Sequence, residues 1–185
     1  MKIALLLANG FEEIEALTPL DVLRRAGVSV DTIGIGSKTI VGAHNIPVIA
    51  DITDSEANAN DYDSVIFPGG MPGSTNLDAS EFTDKIIASV TAKGGRLAAI
   101  CAAPLVLGRR GILNGKKATC YPGFENELKG AEILPLGVVT DGNITTAKGM
   151  GVALEFAKEL TSLLVSPEKS REISEAIMES AWNNR

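Results

Sequence analysis

The sequence predicts an α/β protein with a doubly wound, mostly parallel sheet and helices on both faces. Short continuous apolar runs are typical of strands buried on both faces of a parallel sheet, and they occur at residues 2–8, 64–67 and 96–100. Helix-forming segments that end at glycine separate these runs, as residues 80–93 do. The chain has 185 residues without an internal repeat or linker, which predicts a single domain over residues 1–185.

The elements of the first third of the chain follow from turn and helix signals. A helix is predicted over residues 12–26, where Pro19 either kinks it or begins a second helix with Thr18 as N-cap. Residues 28–35 alternate apolar with small or polar side chains and read as the second strand. Residues 39–50 predict a short hairpin, in which Pro47 indicates an edge position.

The last part of the chain alternates in the same way. Residues 102–109 are predicted to be helical, and residues 117–120 are strand-like. Residues 138–146 predict a hairpin that turns at an Asp-Gly-Asn sequence. Apolar residues at helical spacing over 152–164 predict a buried helix, and a final helix begins at Ser166-Pro167.

Composition excludes several functional classes. Seventeen Lys and Arg against 23 Asp and Glu give a net charge of −6, and aromatic residues make up only 4%. A nucleic-acid partner is therefore not expected, since it needs a basic face and stacking rings. The apolar runs are too short for a membrane span or a signal peptide, so we expect a cytoplasmic, reducing location. One His and two Cys leave no room for a zinc site built from those ligands or for a disulfide framework, and no metal is expected.

Cys101 is the first candidate for chemistry. It lies between the apolar run at residues 96–100 and the small residues Ala102-Ala103, a pattern that predicts a sharp strand-to-helix turn. Backbone N–H groups and the positive end of the helix dipole would then face the sulfur, lower its pKa and favour the thiolate. The alternative is a buried cysteine that packs as a small hydrophobic residue.

Gly69 and Gly70 follow the strand predicted at residues 64–67. Glycines at the carboxyl end of a strand let the backbone approach a ligand and present N–H groups to an anion, as an oxyanion hole requires. Taken alone, the pair favours a plain tight turn.

An acidic cluster follows the first strand. Glu12 and Glu13 are explained by a solvated helix N-terminus, where carboxylates are favourable. Glu15, between the apolar Ile14 and Ala16, could point inward, where burial would raise its pKa and keep it protonated as a hydrogen-bond donor. From these residues alone, a surface carboxylate is the default expectation for Glu15.

Two other reactive side chains are predicted to have structural roles. His44 is the only histidine and falls in the predicted hairpin, which indicates a polar surface residue rather than a general base. Cys120 forms no CxxC pair with Cys101, and packing is favoured over a redox role.

Four motifs together resemble a known family. They are GFEEIE at residues 10–15, DVLRRAG at 21–27, FPGG at 67–70 and AAICAAP at 98–104. This combination resembles the ThiJ/PfpI superfamily, in the branch that contains DJ-one and YajL, over residues 1–165. The resemblance implies a flavodoxin-like sandwich in which the cysteine sits on a nucleophile elbow.

The resemblance also implies roles for individual residues. Cys101 would be the reactive cysteine, and Glu15 the protonated carboxyl that hydrogen-bonds its sulfur. Gly69, Gly70 and the N–H of Ala102 would form an anion pocket. Members of this branch are typically homodimers, with the region of Glu15 close to the subunit contact, and need no cofactor.

Two activities are attributed to this branch. One is chemistry on reactive α-oxoaldehydes, either glutathione-independent conversion of methylglyoxal to lactate or repair of glyoxal-modified groups. The other is oxidation of the cysteine to a sulfinate, with a sensing, protective or chaperone-like role in oxidative stress. Both readings remain open on the sequence.

The chain departs from family patterns at two positions. Tyr121 precedes Pro122 where some members have His, so its supporting role is open. Ala102 follows Cys101 where the protease-like branch has His. A cysteine peptidase would therefore need His44 to reach the elbow, and this is the least favoured reading.

Overall fold

The computed structural model describes residues 1–179 and contains eleven short strands among those residues. These are β1 (Lys2–Leu7), β2 (Ser29–Gly34), β3 (Thr39–Val41), β4 (Pro47–Ile49), β5 (Ile52–Thr53), β6 (Ser64–Phe67), β7 (Arg96–Ile100), β8 (Lys117–Ala118), β9 (Glu132–Ile133), β10 (Val138–Asp141) and β11 (Ile144–Ala147). The α-helices are α1 (Glu13–Arg25), α2 (Gly73–Asp78), α3 (Glu81–Ala92), α4 (Pro104–Arg109), α5 (Ala153–Leu164) and α6 (Pro167–Ala176).

Seven strands form one central sheet in the order β10-β11-β7-β6-β1-β2-β5, and all neighbours are parallel except the β10–β11 hairpin. Side chains of β1 alternate between the faces, with Leu6 in the core under α2, α3 and α4, and Leu5 in the core under α1 and α5. Helix α6 packs outside this layer, against α5. The predicted doubly wound sheet is confirmed.

The helices differ from the prediction at two places. Helix α1 runs unbroken through Pro19, so no second helix begins at Thr18. Pro19 removes a single N–H donor, and burial of Ala16 and Leu23 in the core explains why the helix tolerates it. Helix α4 begins at Pro104 rather than at residue 102, because the chain is still turning after Cys101.

The strand predicted at residues 117–120 is shorter than expected and lies outside the central sheet. Only Lys117–Ala118 pair, with Glu132–Ile133, in a separate two-stranded parallel sheet. The hairpin of Thr39–Val41 with Pro47–Ile49 forms another small sheet, as predicted. None of the helices within residues 1–179 has the length and apolarity needed to cross a membrane.

The topology places three strand ends together. The chain continues from β1 to β2 on one side of the sheet, whereas β6 and then β7 lie on the other side of β1. Ligands of doubly wound sheets bind beyond the carboxyl ends of the strands where the order reverses. Glu15, Gly69 and Cys101 each follow one of the three strands β1, β6 and β7 at this edge.

Candidate active site

Cys101 occupies a nucleophile elbow at the end of β7. Its φ is +65°, a left-handed conformation that a non-glycine residue adopts at a cost of about 1 kcal/mol or more. Two backbone hydrogen bonds fix this strained turn. The Cys101 N–H donates to the carbonyl of Ala147 at 2.8 Å, and the Cys101 carbonyl accepts from the N–H of Tyr121 at 2.8 Å. The side chain is half-buried.

Glu15 points from the first turn of α1 into the protein and is only 1% exposed. Its Oε2 accepts the N–H of Gly69 at 3.0 Å, and the Cys101 side chain lies beside the carboxyl group, next to Gly69. Its other oxygen, Oε1, is buried without a hydrogen-bond partner among residues 1–179. The structure therefore places an acid–base group next to a thiol, close enough for each to shift the pKa of the other.

The glycine pair after β6 leaves room for this close approach. A Cβ at Gly69 would lie 2.5 Å from Glu15 Oε2 and 2.6 Å from the Cβ of Cys101, so any larger residue would displace one of them. Gly70 has a φ of +89°, and its N–H and that of Ala102 lie near enough to the sulfur to oppose the rise of the Cys101 pKa. Two backbone donors beside a thiol are the kind of arrangement that an anion-binding pocket needs.

Burial dominates the acid–base behaviour of the pair. Burial, assisted by the charge of Glu12, raises the pKa of Glu15 to about 7, although the neighbouring Cys101 thiol and the Gly69 N–H oppose the change. Burial, and then the charge of Glu15, raise the pKa of the Cys101 thiol to about 12 against the two N–H groups. The prediction that the elbow lowers the pKa of Cys101 is wrong, because desolvation and a neighbouring carboxylate outweigh the backbone donors.

Glu13 and His44 form a second acid–base contact, between a buried carboxyl group and an exposed imidazole. Glu13 is 4% exposed, not solvated as predicted, and its Oε1 accepts the His44 N–H at 2.8 Å. Its Oε2 lies 2.9 Å from His44 Nδ1. Burial alone would raise the pKa of Glu13, but the hydrogen bonds from His44 lower it. In turn, the hydrogen bond with Glu13 and the charges of Glu12 and Glu13 raise the pKa of His44.

Glu12, Glu13 and His44 are also the group of side chains that could hold a metal ion. One ligand atom from each lies within 4.8 Å of the others. Both oxygens of Glu13 already bind His44, so the group is satisfied as it stands. His44 contacts this end of α1, and its two hydrogen bonds within residues 1–179 are both to Glu13.

Tyr121 lies beside the turn that carries Cys101. Its backbone binds Cys101, but its ring is 51% exposed and packs beside Gly149. Sequence reasoning missed Gly149 and Met150, which follow β11 and approach the Glu15 carboxyl. A signal existed in the Gly-Met-Gly sequence, but only the pairing of β11 with β7 places it at this edge.

The fold and the site define a class of protein, an α/β sandwich with a cysteine on a nucleophile elbow and a buried carboxyl group beside its side chain. The model of the DJ-1/PfpI family matches residues 1–163. The chain belongs to the DJ-1/PfpI family.

Individual relatives cover nearly the whole chain. Protein dj-1beta of Drosophila melanogaster is 34% identical over 94% of this chain and 94% of its own length. A deglycase of Pyrococcus horikoshii is 30% identical over 89% of this chain and 99% of its own. The structure of an oxidised DJ-1 of Toxoplasma gondii is 31% identical, with a TM-score of 0.90 over 96% of this chain and 97% of that one.

Proposed function

We propose that the protein is a cofactor-independent enzyme of the deglycase type that acts on reactive α-oxoaldehydes, and that converts methylglyoxal to lactate without glutathione. The observation that carries the proposal is the close approach of the buried Glu15 carboxyl to the Cys101 side chain, both of which lie within 2.6 Å of the position a Cβ at Gly69 would take. Two Pyrococcus relatives at 30% and 31% identity are named deglycases, which supports the reaction class.

The first step forms a bond between sulfur and the aldehyde carbon. With Glu15 ionised and Cys101 a thiol, the carboxylate takes the thiol proton as the sulfur attacks. The π electrons of the aldehyde move onto its oxygen, which the N–H groups of Gly70 and Ala102 stabilise. Glu15 then returns the proton to that oxygen, which gives a neutral hemithioacetal.

The second step is an internal redox exchange between neighbouring carbons. The Glu15 carboxylate removes the proton from the former aldehyde carbon and delivers it to the adjacent carbonyl carbon by way of an enediol. The hydroxyl proton of the first carbon moves to the oxygen of the second. The first carbon is thereby oxidised to a thioester and the second reduced to an alcohol. Water cleaves the thioester, releases the 2-hydroxy acid and restores the thiol, so no external oxidant or reductant is consumed.

The test is lactate formation from methylglyoxal in the absence of glutathione. We expect turnover in the wild type, none in Cys101→Ala, and a loss of roughly 10²- to 10⁴-fold in Glu15→Gln. Cys120→Ala is the matched control, because Cys120 is the other free cysteine and does not contact Glu15. Equal rates in wild type and Cys101→Ala would reject the mechanism.

A second candidate function is oxidation sensing at Cys101. The N–H groups near the sulfur would also bind the oxygens of a sulfinate, and the Toxoplasma relative has been solved in an oxidised form. A cytoplasmic, reducing location would keep Cys101 a free thiol until peroxide oxidises it, and the sulfinate once formed is not reduced by cellular thiols. Peroxide titration followed by intact mass should then add two oxygen atoms in the wild type and in Cys120→Ala, but none in Cys101→Ala.

We also propose that the protein is a homodimer whose contact includes the outer face of α1. Ile14, Leu17 and Ile46 are exposed and, with Leu154 and Ile177, line an apolar hollow of about 520 Å³ directly beside Glu13. A second copy would cover this face, consistent with the subunit contact that the family resemblance implies near Glu15. Light scattering should give a dimer for wild type and for Leu163→Glu on α5, and a monomer for Leu17→Glu.

A further inference from the structure

An open hollow of about 320 Å³ adjoins the thiol pocket and takes no part in the chemistry described above. Its walls are mostly apolar and come from Tyr121, Pro122, Met150 and Val152, with Gly149 at its floor. Tyr121 and Met150 are 51% and 50% exposed, so two large apolar side chains face solvent here. Its volume falls at the lower end of the range of about 300 to 1,000 Å³ for small-molecule sites.

Gly149 connects the hollow to the reacting groups. A Cβ at this position would lie 3.3 Å from the ring carbon Cδ2 of Tyr121 and 3.9 Å from Glu15 Oε1. This is the Glu15 oxygen that accepts no hydrogen bond among the described residues. Gly149 therefore lies between the Tyr121 ring of the hollow and the Glu15 carboxyl, with no side chain of its own to separate them.

The backbone around the hollow is held firmly to the elbow. The N–H of Tyr121 donates to the Cys101 carbonyl at 2.8 Å, and the N–H of Val152 donates to the Gly149 carbonyl at 3.0 Å. The walls are thus preformed relative to the sulfur, as a specificity site requires.

We propose that this hollow is a subsite for an apolar, preferably aromatic, substituent on the α-oxoaldehyde. The proposal rests on the proposed function and narrows its substrate class. The exposed Tyr121 ring offers a face on which an aryl group stacks, and Met150 offers a flexible apolar wall. Lys148 is the one charged side chain lining the hollow, and its charge suits the carboxylate of the 2-hydroxy acid product.

The test compares kcat/KM for phenylglyoxal with kcat/KM for glyoxal, which has no substituent. We expect Tyr121→Ala to lower the phenylglyoxal-to-glyoxal ratio about 3- to 10-fold, the value of one aromatic contact. Tyr121→Phe keeps the ring and should keep the ratio. Leu163→Ala, which removes an exposed apolar side chain near the far end of α5, should also keep it.

The outcomes separate the subsite from the reaction. An unchanged ratio in Tyr121→Ala would overturn the subsite while leaving the reaction intact. A ratio lowered as much in Tyr121→Phe as in Tyr121→Ala would also overturn it, because the hydroxyl group rather than the ring would then recognise the substituent.

A binding measurement keeps the subsite testable when the enzyme turns over neither aldehyde. Titration by NMR with mandelate and with lactate, the two 2-hydroxy acids expected as products, should show mandelate binding more tightly, and Tyr121→Ala should remove the difference. Equal binding of the two acids by the wild type would reject the subsite, whatever the fate of the proposed reaction.

Discussion

Replacing Glu15 by Gln should stabilise the folded protein in alkaline solution and have little effect in acid. Glu15 is 1% exposed, and burial raises its pKa to about 7, so the folded state holds this proton more tightly than the unfolded chain does. A group of this kind contributes fully to stability below its ordinary pKa of 4.5. That contribution is lost as the pH rises from 4.5 through about 7.

The size of the effect follows from the two pKa values. One pKa unit corresponds to about 1.4 kcal/mol, and the folded and ordinary values, about 7 and 4.5, differ by about 2.5 units. Ionisation of Glu15 should therefore destabilise the fold by about 3 kcal/mol at pH 9 relative to pH 4. Gln has nearly the same shape and cannot ionise, so its variant avoids this loss.

Urea unfolding of both proteins at pH 4.5 and pH 9, at one fixed protein concentration, measures the effect. The Glu15→Gln variant should match wild type at pH 4.5 and exceed its free energy of unfolding by about 3 kcal/mol at pH 9. Glu132→Gln, a matched change at an exposed carboxylate on β9, should follow wild type at both values. A Glu15→Gln variant that shows the same difference from wild type at both pH values would refute the reasoning.

Four further outcomes are expected. The rate of Cys101 alkylation by iodoacetamide should still be rising at pH 10, because the thiol pKa is about 12, whereas a plateau near neutral pH would contradict that assignment. Gly69→Ala should lower turnover at least tenfold and stability by about 1–3 kcal/mol, since its Cβ would lie 2.6 Å from that of Cys101. His44→Ala should destabilise the protein more at pH 5.5 than at pH 9 in denaturant titrations, because the contact with Glu13 raises the His44 pKa and is lost as pH rises through it. Phe156→Ala should reduce the free energy of unfolding by about 3–5 kcal/mol, because this core side chain is fully buried.

The long elements could be predicted because their patterns are local. Strand β1 is apolar at every position after Lys2, as burial on two faces requires, and the order of strands and helices then leaves few topologies. The elements that escaped are short. Strand β5 has two residues, and α2 has six with weak helix formers, Gly-Ser-Thr-Asn among them. Such elements are stabilised by contacts with segments that are distant in sequence. A short stretch of sequence does not indicate those contacts.

The sequence predicts where the residues of the site lie, but not their pKa values or all of their contacts. Strand ends at one edge of a parallel sheet meet whatever the side chains are, so Cys101, Gly69 and Glu15 were all within reach of the sequence. The pKa of Cys101 could not be predicted, because the direction of its shift depends on the balance of burial, a carboxylate and two N–H groups in three dimensions. The contact of His44 with Glu13, 31 residues apart, lacks a local signal for the same reason.

The two buried glutamates in one turn of α1 differ in their hydrogen-bond partners, and this difference bears on the proposed role of Glu15. Glu13 and Glu15 are 4% and 1% exposed, so both lose their hydration. For Glu13, hydrogen bonds with His44 at both carboxyl oxygens replace the lost water, and the pKa of Glu13 falls. Glu15 is bonded through Oε2 to Gly69, while Oε1 faces Gly149 without a partner among the described residues. The raised pKa and the vacant oxygen both weaken the fold at neutral pH, and packing alone would be better served by an uncharged residue. A carboxyl group that destabilises the fold, lies beside a strained cysteine and has one unpartnered oxygen supports the proposed proton transfer by Glu15.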